Sequence, residues 1–421
     1  MIGALLALSA LPRTATAQPL SQFLRNASTS LDARESVLLA QQRADEQWQV
    51  TGRLLPSLTA RAGYTFNQFE VGVTIPTGAS TNTQATITPR HQADLTVTLD
   101  VPLVDPAGWA RVDAARASRE ASQVRVRATS EDVLRAVARS YFQWAAAGAL
   151  VRSSERALLV AQRSLDRVRA RLQAGGAVEL DVARASSEVA RAQQTVADAM
   201  LARQTAARSL ESLTQIAPRE PVMPPASLEQ ESPLPSWEAL ASQTTSVRQA
   251  TLEARAQHAQ SRAAWLGLSP TVNASATERV TNATGFGPPA TFAAGVSVSW
   301  RIDVTTVATA RAASAASAIA DVRLERALQN ARDQIHSAWW QVNVGVARVR
   351  ASRARLESAQ RATSSARARL AQGAGNEHDV LLAERDEFDA EVTGIQADAD
   401  LAFARVALRI AAGQPLEGGA Q

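Results

Sequence analysis

Histidine is the residue type in this chain best suited to metal binding or proton transfer, and the sequence contains four of them. His91, His258, His336 and His378 are scattered along the chain, and no two stand at the spacing of a metal-ligand pair. The sequence also has no cysteine and no Gly-x4-Gly-Lys-Ser/Thr loop for nucleotide phosphates. We therefore predict no catalytic residues, no cofactor, no metal site and no enzymatic activity.

Two aspartates, Asp181 and Asp379, are the other residues whose positions suggest a chemical role. Each follows the first glycine of a turn, Gly175 or Gly373, by six residues. We predict that each carboxylate lies in the first turn of a helix, where it interacts favourably with the helix dipole. The two aspartates are 198 positions apart, and this spacing points to a duplication.

The duplication extends over most of the chain. At the same offset, residues 171–182 align with residues 369–380, and residues 141–143 with residues 339–341. The repeat is too long for a solenoid unit of about 20–50 residues. Each half is predicted to contain a helix, two strands, a very long helix, a Gly-containing turn and a returning helix.

The long helices are predicted to form coiled-coil hairpins. The first runs from Pro106 to about residue 172, which corresponds to about 100 Å at 1.5 Å per residue, and the second from about Val307 to Leu370. Apolar residues repeat by heptads along both long helices and along the returning helix. The clearest seams are Leu158, Leu165 and Leu172 with Ala161 and Val168, and Val182, Val189 and Val196 with Ala185, Ala192 and Ala199.

Four segments alternate between apolar and polar residues, as strands with two different faces do. They are residues 57–69, 93–104, 270–280 and 291–303. Each has about the ten residues that a tilted strand needs to cross a bilayer. The stretches around Val71–Arg90 and Thr281–Ala290 are predicted to be polar loops.

Assembly follows from the strand count. Four strands cannot close a barrel, and an open edge in lipid leaves backbone groups unpaired. We therefore predict a mainly α protein that forms a homotrimer, with four strands per chain completing a 12-stranded transmembrane β-barrel and the helices forming an α-barrel. The apolar strand face would contact outer-membrane lipid.

The domain organisation is predicted as follows. Ile2–Leu11 followed by Ala15-Thr16-Ala17 suggests a signal peptide over residues 1–17. The first repeat covers residues 18–215, a Pro-rich connector covers 216–236, the second repeat covers 237–413, and a tail covers 414–421. The two hairpin tips are predicted at residues 173–178 and 371–376.

The composition excludes a nucleic-acid-binding surface. All 44 basic residues are arginine, but 40 acidic residues are interleaved with them and the net charge is only +4 over 421 residues. Aromatic residues make up 4% of the chain. Abundant alanine suits closely packed helices better than a thick globular core.

In its duplicated order of elements and its two turn motifs, the chain resembles the TolC-like outer-membrane efflux proteins. Two Arg-Leu-x-x-Gly-x5-Asp-Val turns carry the resemblance, together with residues 55–58 before the first strand and residues 99–105 before the first long helix. The turn residues are Leu172, Gly175, Asp181 and Val182 in the first half, and Leu370, Gly373, Asp379 and Val380 in the second.

The resemblance implies a passive exit duct in the outer membrane, with its helical barrel in the periplasm. It implies a periplasmic adaptor protein and an inner-membrane transporter of the RND, MFS or ABC type as partners. It also implies adaptor docking at the tips and a periplasmic constriction at Asp181 and Asp379. The implied docking residues are Leu172, Gly175, Gly176, Leu370, Gly373 and Ala374.

Several alternatives remain open from the sequence. The exported material is drugs or other small molecules, with type I protein secretion or heavy-metal efflux as alternatives. Asp379 either caps a helix only or also forms part of a cation-selective ring. A soluble coiled-coil scaffold would explain the heptads but not the four strands, and an enzyme in the connector lacks any acid–base or nucleophile constellation.

Overall fold

The computed structural model describes residues 18–78, 81–221, 226–285 and 287–414. The side chains of residues 75–84 are outside this description. The predicted signal peptide, and the predicted tail after residue 414, also lie outside the described residues.

The described chain forms two compact units. The first, which we call the helical unit, contains residues 18–38, 124–248 and 327–414. The second, which we call the sheet unit, contains residues 39–123 and 249–326. Both long helices contribute residues to each unit.

The two halves repeat the same elements, except for one additional hairpin. The first half contains α1 (Leu20–Asn26), α2 (Leu31–Gly52), β1 (Ser57–Phe66), β2 (Val71–Gly78), β3 (Thr81–Thr88), β4 (His91–Val104), α3 (Pro106–Gln173) and α4 (Glu179–Thr214). The second contains α5 (Leu234–Glu238), α6 (Thr245–Leu266), β5 (Thr271–Thr281), β6 (Ala290–Ser299), α7 (Val304–Ala371) and α8 (Glu377–Ala411). Because α3 and α7 each contain 68 residues and α2 and α6 each contain 22, the predicted duplication is confirmed.

The predicted heptad seam joins α3 to α4. Leu165, Val168 and Ala185 form a buried cluster, against which the partly buried Val182 and Val189 pack. Farther along α4, the seam alanines are buried as well, with Ala199 only 1% exposed. Small residues at these positions let the two helices of the hairpin approach closely.

The predicted first helix of each half is interrupted, which corrects the expectation of one continuous helix. Ser30 is extended at φ −59° and ψ 153°, and its hydroxyl accepts a hydrogen bond from the N–H of Ala33. Thr244, 214 positions later, is extended at φ −63° and ψ 150°. Each of these hydroxyl residues favours the start of a new helix over continuation of the old one.

Four strands form one antiparallel sheet in the order β1-β4-β5-β6. Leu58 pairs with Leu99, which pairs with Ala276, so side chains of the same character lie on the same face across the sheet. β1 and β6 are the edge strands of this sheet.

The segment from Val71 to Arg90 was predicted to be a polar loop, and this prediction is wrong for most of its length. β2 and β3 pair antiparallel in a separate two-stranded sheet. The high content of glycine, proline and threonine suggested a loop, but β-branched valine, isoleucine and threonine also favour strands. Register shifts beside Val71 and Pro76 accommodate the residues that suit a ladder poorly.

The last strand of the sheet is shorter than predicted, because β6 ends at Ser299 and not at residue 303. Asp303 Oδ1 accepts hydrogen bonds from the N–H of Thr306 at 2.6 Å and from its hydroxyl at 2.8 Å. These bonds cap the start of α7, so the chain turns before residue 303. Asp105 acts in the same way for α3 by accepting a bond from the N–H of Gly108 at 2.8 Å.

The described part of the Pro-rich connector is irregular up to the start of α5 and packs against other segments of the helical unit. Arg405 of α8 forms an ion pair with Glu231 at 2.6 Å and also donates to two connector carbonyls. The indole N–H of Trp339 donates to the carbonyl of Ser232 at 2.9 Å. The described part of the connector is therefore held by side chains of α7 and α8.

Candidate functional site

The first hairpin tip is a tight helix end stabilised by a glycine. The N–H of Gly175 donates to the carbonyl of Leu172 at 3.0 Å, and the N–H of Gly176 donates to that of Arg171 at 2.8 Å. This pair of bonds is the Schellman arrangement, which needs a left-handed residue after the helix. Gly175 supplies it with φ of +76°.

The second tip has the same backbone arrangement. The N–H of Gly373 donates to the carbonyl of Leu370, and the N–H of Ala374 to that of Arg369, at 3.1 and 2.9 Å. Gly373 has φ of +75°. The structure thus places the six predicted docking residues in two equivalent turns. Leu172 and Leu370 are half-buried, and the other four residues are exposed.

The two predicted constriction residues lie at the start of the returning helices, but they act differently as caps. The Asp181 carboxylate accepts a hydrogen bond from the backbone N–H of Val178 at 3.3 Å. At the second tip, the Asn376 side chain is the cap and accepts from the backbone N–H of Asp379 at 2.7 Å. The Asp379 carboxylate is exposed and is not needed for this cap.

A glutamate beside the second tip was missed by the sequence analysis. Glu377 Oε1 accepts a hydrogen bond from the Ser164 hydroxyl at 3.2 Å. The same carboxylate lies 3.8 Å from the guanidinium of Arg167 and 3.5 Å from that of Arg171. Its side chain is only 13% exposed. The start of α8 is therefore tied to the last turns of α3.

The same pattern continues along α8, which is acidic and packs between arginine-bearing helices. Arg156 of α3 pairs with Glu391. From α7, Arg367 pairs with Glu384 at 2.9 Å and Arg353 pairs with Asp398 at 3.2 Å. The interleaved charges that exclude a nucleic-acid site thus serve as contacts between helices. A sequence signal for this role was present in the clustering of carboxylates on one returning helix.

A groove of about 450 Å³ with both polar and apolar lining residues lies between these helices. Ser153 and Ser154 line it from α3, and their hydroxyls are buried without a hydrogen-bond partner in the described part of the protein. Charged residues of α3, α4, α7 and α8 and the apolar side chains of Val160, Leu381 and Phe388 complete the lining.

The four-stranded sheet has one polar and one apolar face. Arg61, Thr96 and Arg279 occupy neighbouring positions on the polar face, where Arg279 pairs with Asp94 at 2.6 Å. On the other face, large side chains are exposed: Leu58 at 71% and Val298 at 68%. A broad exposed apolar face of this kind marks a surface that contacts lipid or another protein.

The alternation is broken at Glu278 of β5. Glu278 pairs with Val97 on β4 and with Phe292 on β6, so it lies on the apolar face. The predicted alternation over residues 270–280 therefore fails at this position.

The four histidines are not brought together among the described residues. His91 contacts Tyr64, His258 contacts Asp321, and His336 contacts Glu238. His378 is exposed beside the second tip. Within the described ranges, no group of three or more His, Cys, Asp or Glu residues is placed to hold a metal ion.

Among the described residues, no helix has both the length and the apolar character that a transmembrane helix needs.

Solved structures share this fold over nearly the whole chain. A membrane protein from Pseudomonas aeruginosa is 21% identical with a TM-score of 0.80, covering 94% of this chain and 93% of that one. The outer membrane protein VceC from Vibrio cholerae is 18% identical with a TM-score of 0.80, covering 94% and 97%. The Neisseria gonorrhoeae MtrE outer membrane channel, in its open state, is 18% identical with a TM-score of 0.74, covering 94% and 89%. No curated protein sequence matches the chain.

A two-faced sheet joined to two long helical hairpins is the fold that this chain shares with the VceC structure. The outer membrane efflux protein family model matches residues 35–214 and 238–414, so it spans both halves. This chain belongs to the outer membrane efflux protein family. The predictions of an outer-membrane location and of a channel that is not an enzyme are therefore confirmed.

Proposed function

We propose that three copies of this chain form a passive duct that carries small molecules across the outer membrane. The observation that carries the proposal is the four-stranded sheet, which has one apolar face, one polar face and two unpaired edges at β1 and β6. Unpaired strand edges in lipid cost several kcal/mol per backbone group. When β1 of one copy pairs with β6 of the next copy, the four-stranded sheets have no unpaired edge left.

The sheet chemistry supports a lumen on the polar face. Three copies of four strands make a barrel wide enough for an aqueous interior, with Arg61, Asp100 and the Arg279–Asp94 pair facing inward. The apolar face then contacts lipid. Passage through such a lumen needs no chemistry by the channel itself, so the driving force comes from a partner.

Helical surfaces also support association between copies. α4 carries an exposed row of residues spaced by three and four positions, all of them small or apolar except one glutamine. The row is Ala183, Ser187, Ala190, Gln194, Ala197 and Leu201. Leu201 is 67% exposed in a single chain, so burial of this row against a neighbouring copy is favourable.

The hairpin tips are the proposed docking surface for a periplasmic adaptor, which would connect the duct to an inner-membrane transporter. Exposed apolar residues favour this role at the first tip, where Val178 and Leu180 are 58% and 57% exposed. Asp181 and Asp379 stand beside these tips. In a trimer they would form rings of carboxylates that constrict the periplasmic end and attract cations.

Cysteine cross-linking tests the proposed closure, because the native chain has no cysteine. Thr59→Cys in β1 is combined in turn with Ala293→Cys, Gly295→Cys or Ser297→Cys in β6. We expect at least one combination to give disulfide-linked dimers and trimers, because strand neighbours lie within disulfide reach. Each single variant is the control, and monomers in every combination would contradict the closure of β1 on β6.

Channel activity is tested separately. The purified protein should migrate as a trimer when it is not heated and should open conducting channels in planar bilayers. A trimer without conductance would refute the duct, even if cross-linking succeeds.

A further inference from the structure

A cluster of aromatic and basic side chains lies at the end of the sheet that is far from the helices. β1 ends there at Phe66, and β4 begins there at His91, while the opposite ends of these strands join α2 and α3. Phe66 and His91 are directly paired, with ring centroids 5.4 Å apart. We call Tyr64, Phe66, Arg90 and His91 the rim cluster.

The rim cluster lies on the apolar face of the sheet. Phe66 and Tyr64 alternate with the polar-face residues of β1, and they are 58% and 67% exposed. Phe66 therefore continues the same exposed face as Leu58. In a chain of the outer membrane efflux family, aromatic side chains at this edge suit the boundary between hydrocarbon and headgroups.

The guanidinium of Arg90 and the imidazole of His91 lie beside the Phe66 and Tyr64 rings. The Arg90 guanidinium carbon lies 5.6 Å from the centre of the Phe66 ring. The Tyr64 hydroxyl lies 2.7 Å from Nδ1 of His91, and the two rings stack at an interplanar angle of 26°. In the tautomer whose Nδ1 accepts a hydrogen bond from the Tyr64 hydroxyl, the His91 ring carries its hydrogen on Nε2 and can donate it to an anion.

The guanidinium is not neutralised by a neighbouring carboxylate. Among the residues that the structure describes, Arg90 takes part in no ion pair, whereas Arg279 on the polar face is paired with Asp94. An exposed guanidinium stacked on an aromatic ring keeps its hydrogen-bonding edge available. This edge has the geometry to bind two oxygens of a phosphate group.

We propose that the rim cluster binds the phosphate of an anionic membrane lipid. Arg90 and the Nε2 hydrogen of His91 bind phosphate oxygens, while Tyr64 and Phe66 contact the part of the acyl chains next to the headgroup. The inference rests on the proposed function in one respect, since the apolar face must contact lipid. The contact of an apolar surface with a cationic edge favours an amphipathic lipid over free phosphate.

Lipid-dependent stabilisation of the purified full-length protein tests the proposal. The protein in uncharged detergent is mixed with phosphatidylglycerol, with phosphatidylcholine or with inorganic phosphate, and its thermal unfolding is followed together with the amount of lipid bound. We expect phosphatidylglycerol to bind more strongly than phosphatidylcholine and inorganic phosphate to have no effect. Arg90→Gln should weaken phosphatidylglycerol binding by about fivefold, the effect of one cation at a lipid surface.

Arg61→Gln is the matched control, because Arg61 is also exposed and lies on the same sheet but on the polar face. It should bind phosphatidylglycerol as the unmodified protein does. An equal loss in both variants, or no loss in Arg90→Gln, would overturn the proposal. Stabilisation by inorganic phosphate equal to that by phosphatidylglycerol would overturn the assignment to a lipid.

Conductance of the same preparations keeps this test separate from the proposed duct. Arg90→Gln should conduct like the unmodified protein while it loses lipid. A protein that binds phosphatidylglycerol through Arg90 but never conducts would refute the duct and leave the lipid site standing.

Discussion

Arg171, in the last turn of α3, lies 3.5 Å from Glu377, the first residue of α8. The contact joins the end of the first long helix to the start of the second returning helix, across 206 positions of sequence. It is one part of a group in which Glu377 also contacts Arg167 and Ser164.

Removal of this contact should loosen the tips. We expect Glu377→Gln and Arg171→Gln to speed amide hydrogen exchange in the last turn of α3 and the first turn of α8, because an attraction between the two is lost. A double-mutant cycle should give a coupling of about 0.5–1 kcal/mol, near the upper end for exposed pairs, since the carboxylate is mostly buried. Arg163→Gln on the same helix, which has no ion pair among the described residues, is the control. Additive effects would show that the pair does not contribute.

The two aspartates at the tips should respond differently to truncation. Asp379→Ala leaves the Asn376 cap intact and removes only the interaction of the carboxylate with the helix dipole, so we expect a loss of helix stability of no more than about 0.3 kcal/mol, together with a larger single-channel conductance and a weaker cation preference. Asp181→Ala removes a capping acceptor and should cost about 0.5–1 kcal/mol locally, measured by hydrogen exchange at the start of α4. Asp379→Asn removes the charge but keeps the size of the side chain, so it distinguishes an electrostatic effect on conductance from a steric one. Unchanged conductance in both Asp379 variants would exclude the constriction and leave Asp379 with only its interaction with the helix dipole.

Gly175 should tolerate substitution less well than its neighbour. Gly175→Ala places a Cβ on a residue with φ of +76°, which costs about 1 kcal/mol although nothing lies within 4 Å of the new atom. Gly176→Ala meets only an ordinary contact of 3.7 Å and needs no positive φ. Faster amide exchange at the first tip in Gly175→Ala alone would support a conformational requirement. Equal behaviour of the two variants would contradict it.

Glu131 should make a small pH-dependent contribution to stability. Burial raises its pKa above the ordinary 4.5, although the Thr245 hydroxyl donates to the carboxylate at 2.5 Å. A raised pKa in the folded state means that stability from this group is complete below the unfolded pKa and is lost as pH rises through the folded value. Glu131→Gln should therefore raise the thermal midpoint near pH 7, and this gain should fade as pH approaches about 4.5 and below.

The half-exposed position of Glu131 limits the expected gain to a few tenths of a kcal/mol. Asp166→Asn is a suitable control, since that carboxylate is exposed on the same helix and is not among the groups that act on Glu131. A gain in stability for Glu131→Gln that does not change with pH would contradict the titration.

The periodic parts of the fold could be predicted from sequence because each long element repeats one local pattern many times. The Leu165–Val168 seam and the Gly175 and Gly373 turns are examples, since heptads and helix-ending glycines act over short distances. The β2–β3 hairpin was missed because threonine and glycine occur in both loops and strands. Ser30 was missed as a break because a single hydroxyl residue is weak evidence against a long helical pattern.

Contacts between distant segments could not be obtained from one sequence. Glu377 looks like any exposed helix-start carboxylate until α3 is placed beside it. The ion pair between Arg405 and Glu231 of the connector is likewise visible only in the structure. The identity of a tip residue can be predicted from a local rule, whereas the identity of its partner depends on how the hairpins pack.

The two tips have the same backbone conformation but carry different side chains. At the first, Val178 and Leu180 are exposed, whereas at the second an asparagine caps the helix and Glu377 is engaged with arginines. A protein that approaches the end of the helical unit therefore meets the same shape twice with unequal chemistry. Two identical partner domains seated on these tips would bind with unequal affinity, and a change at one tip would alter the occupancy of that position alone.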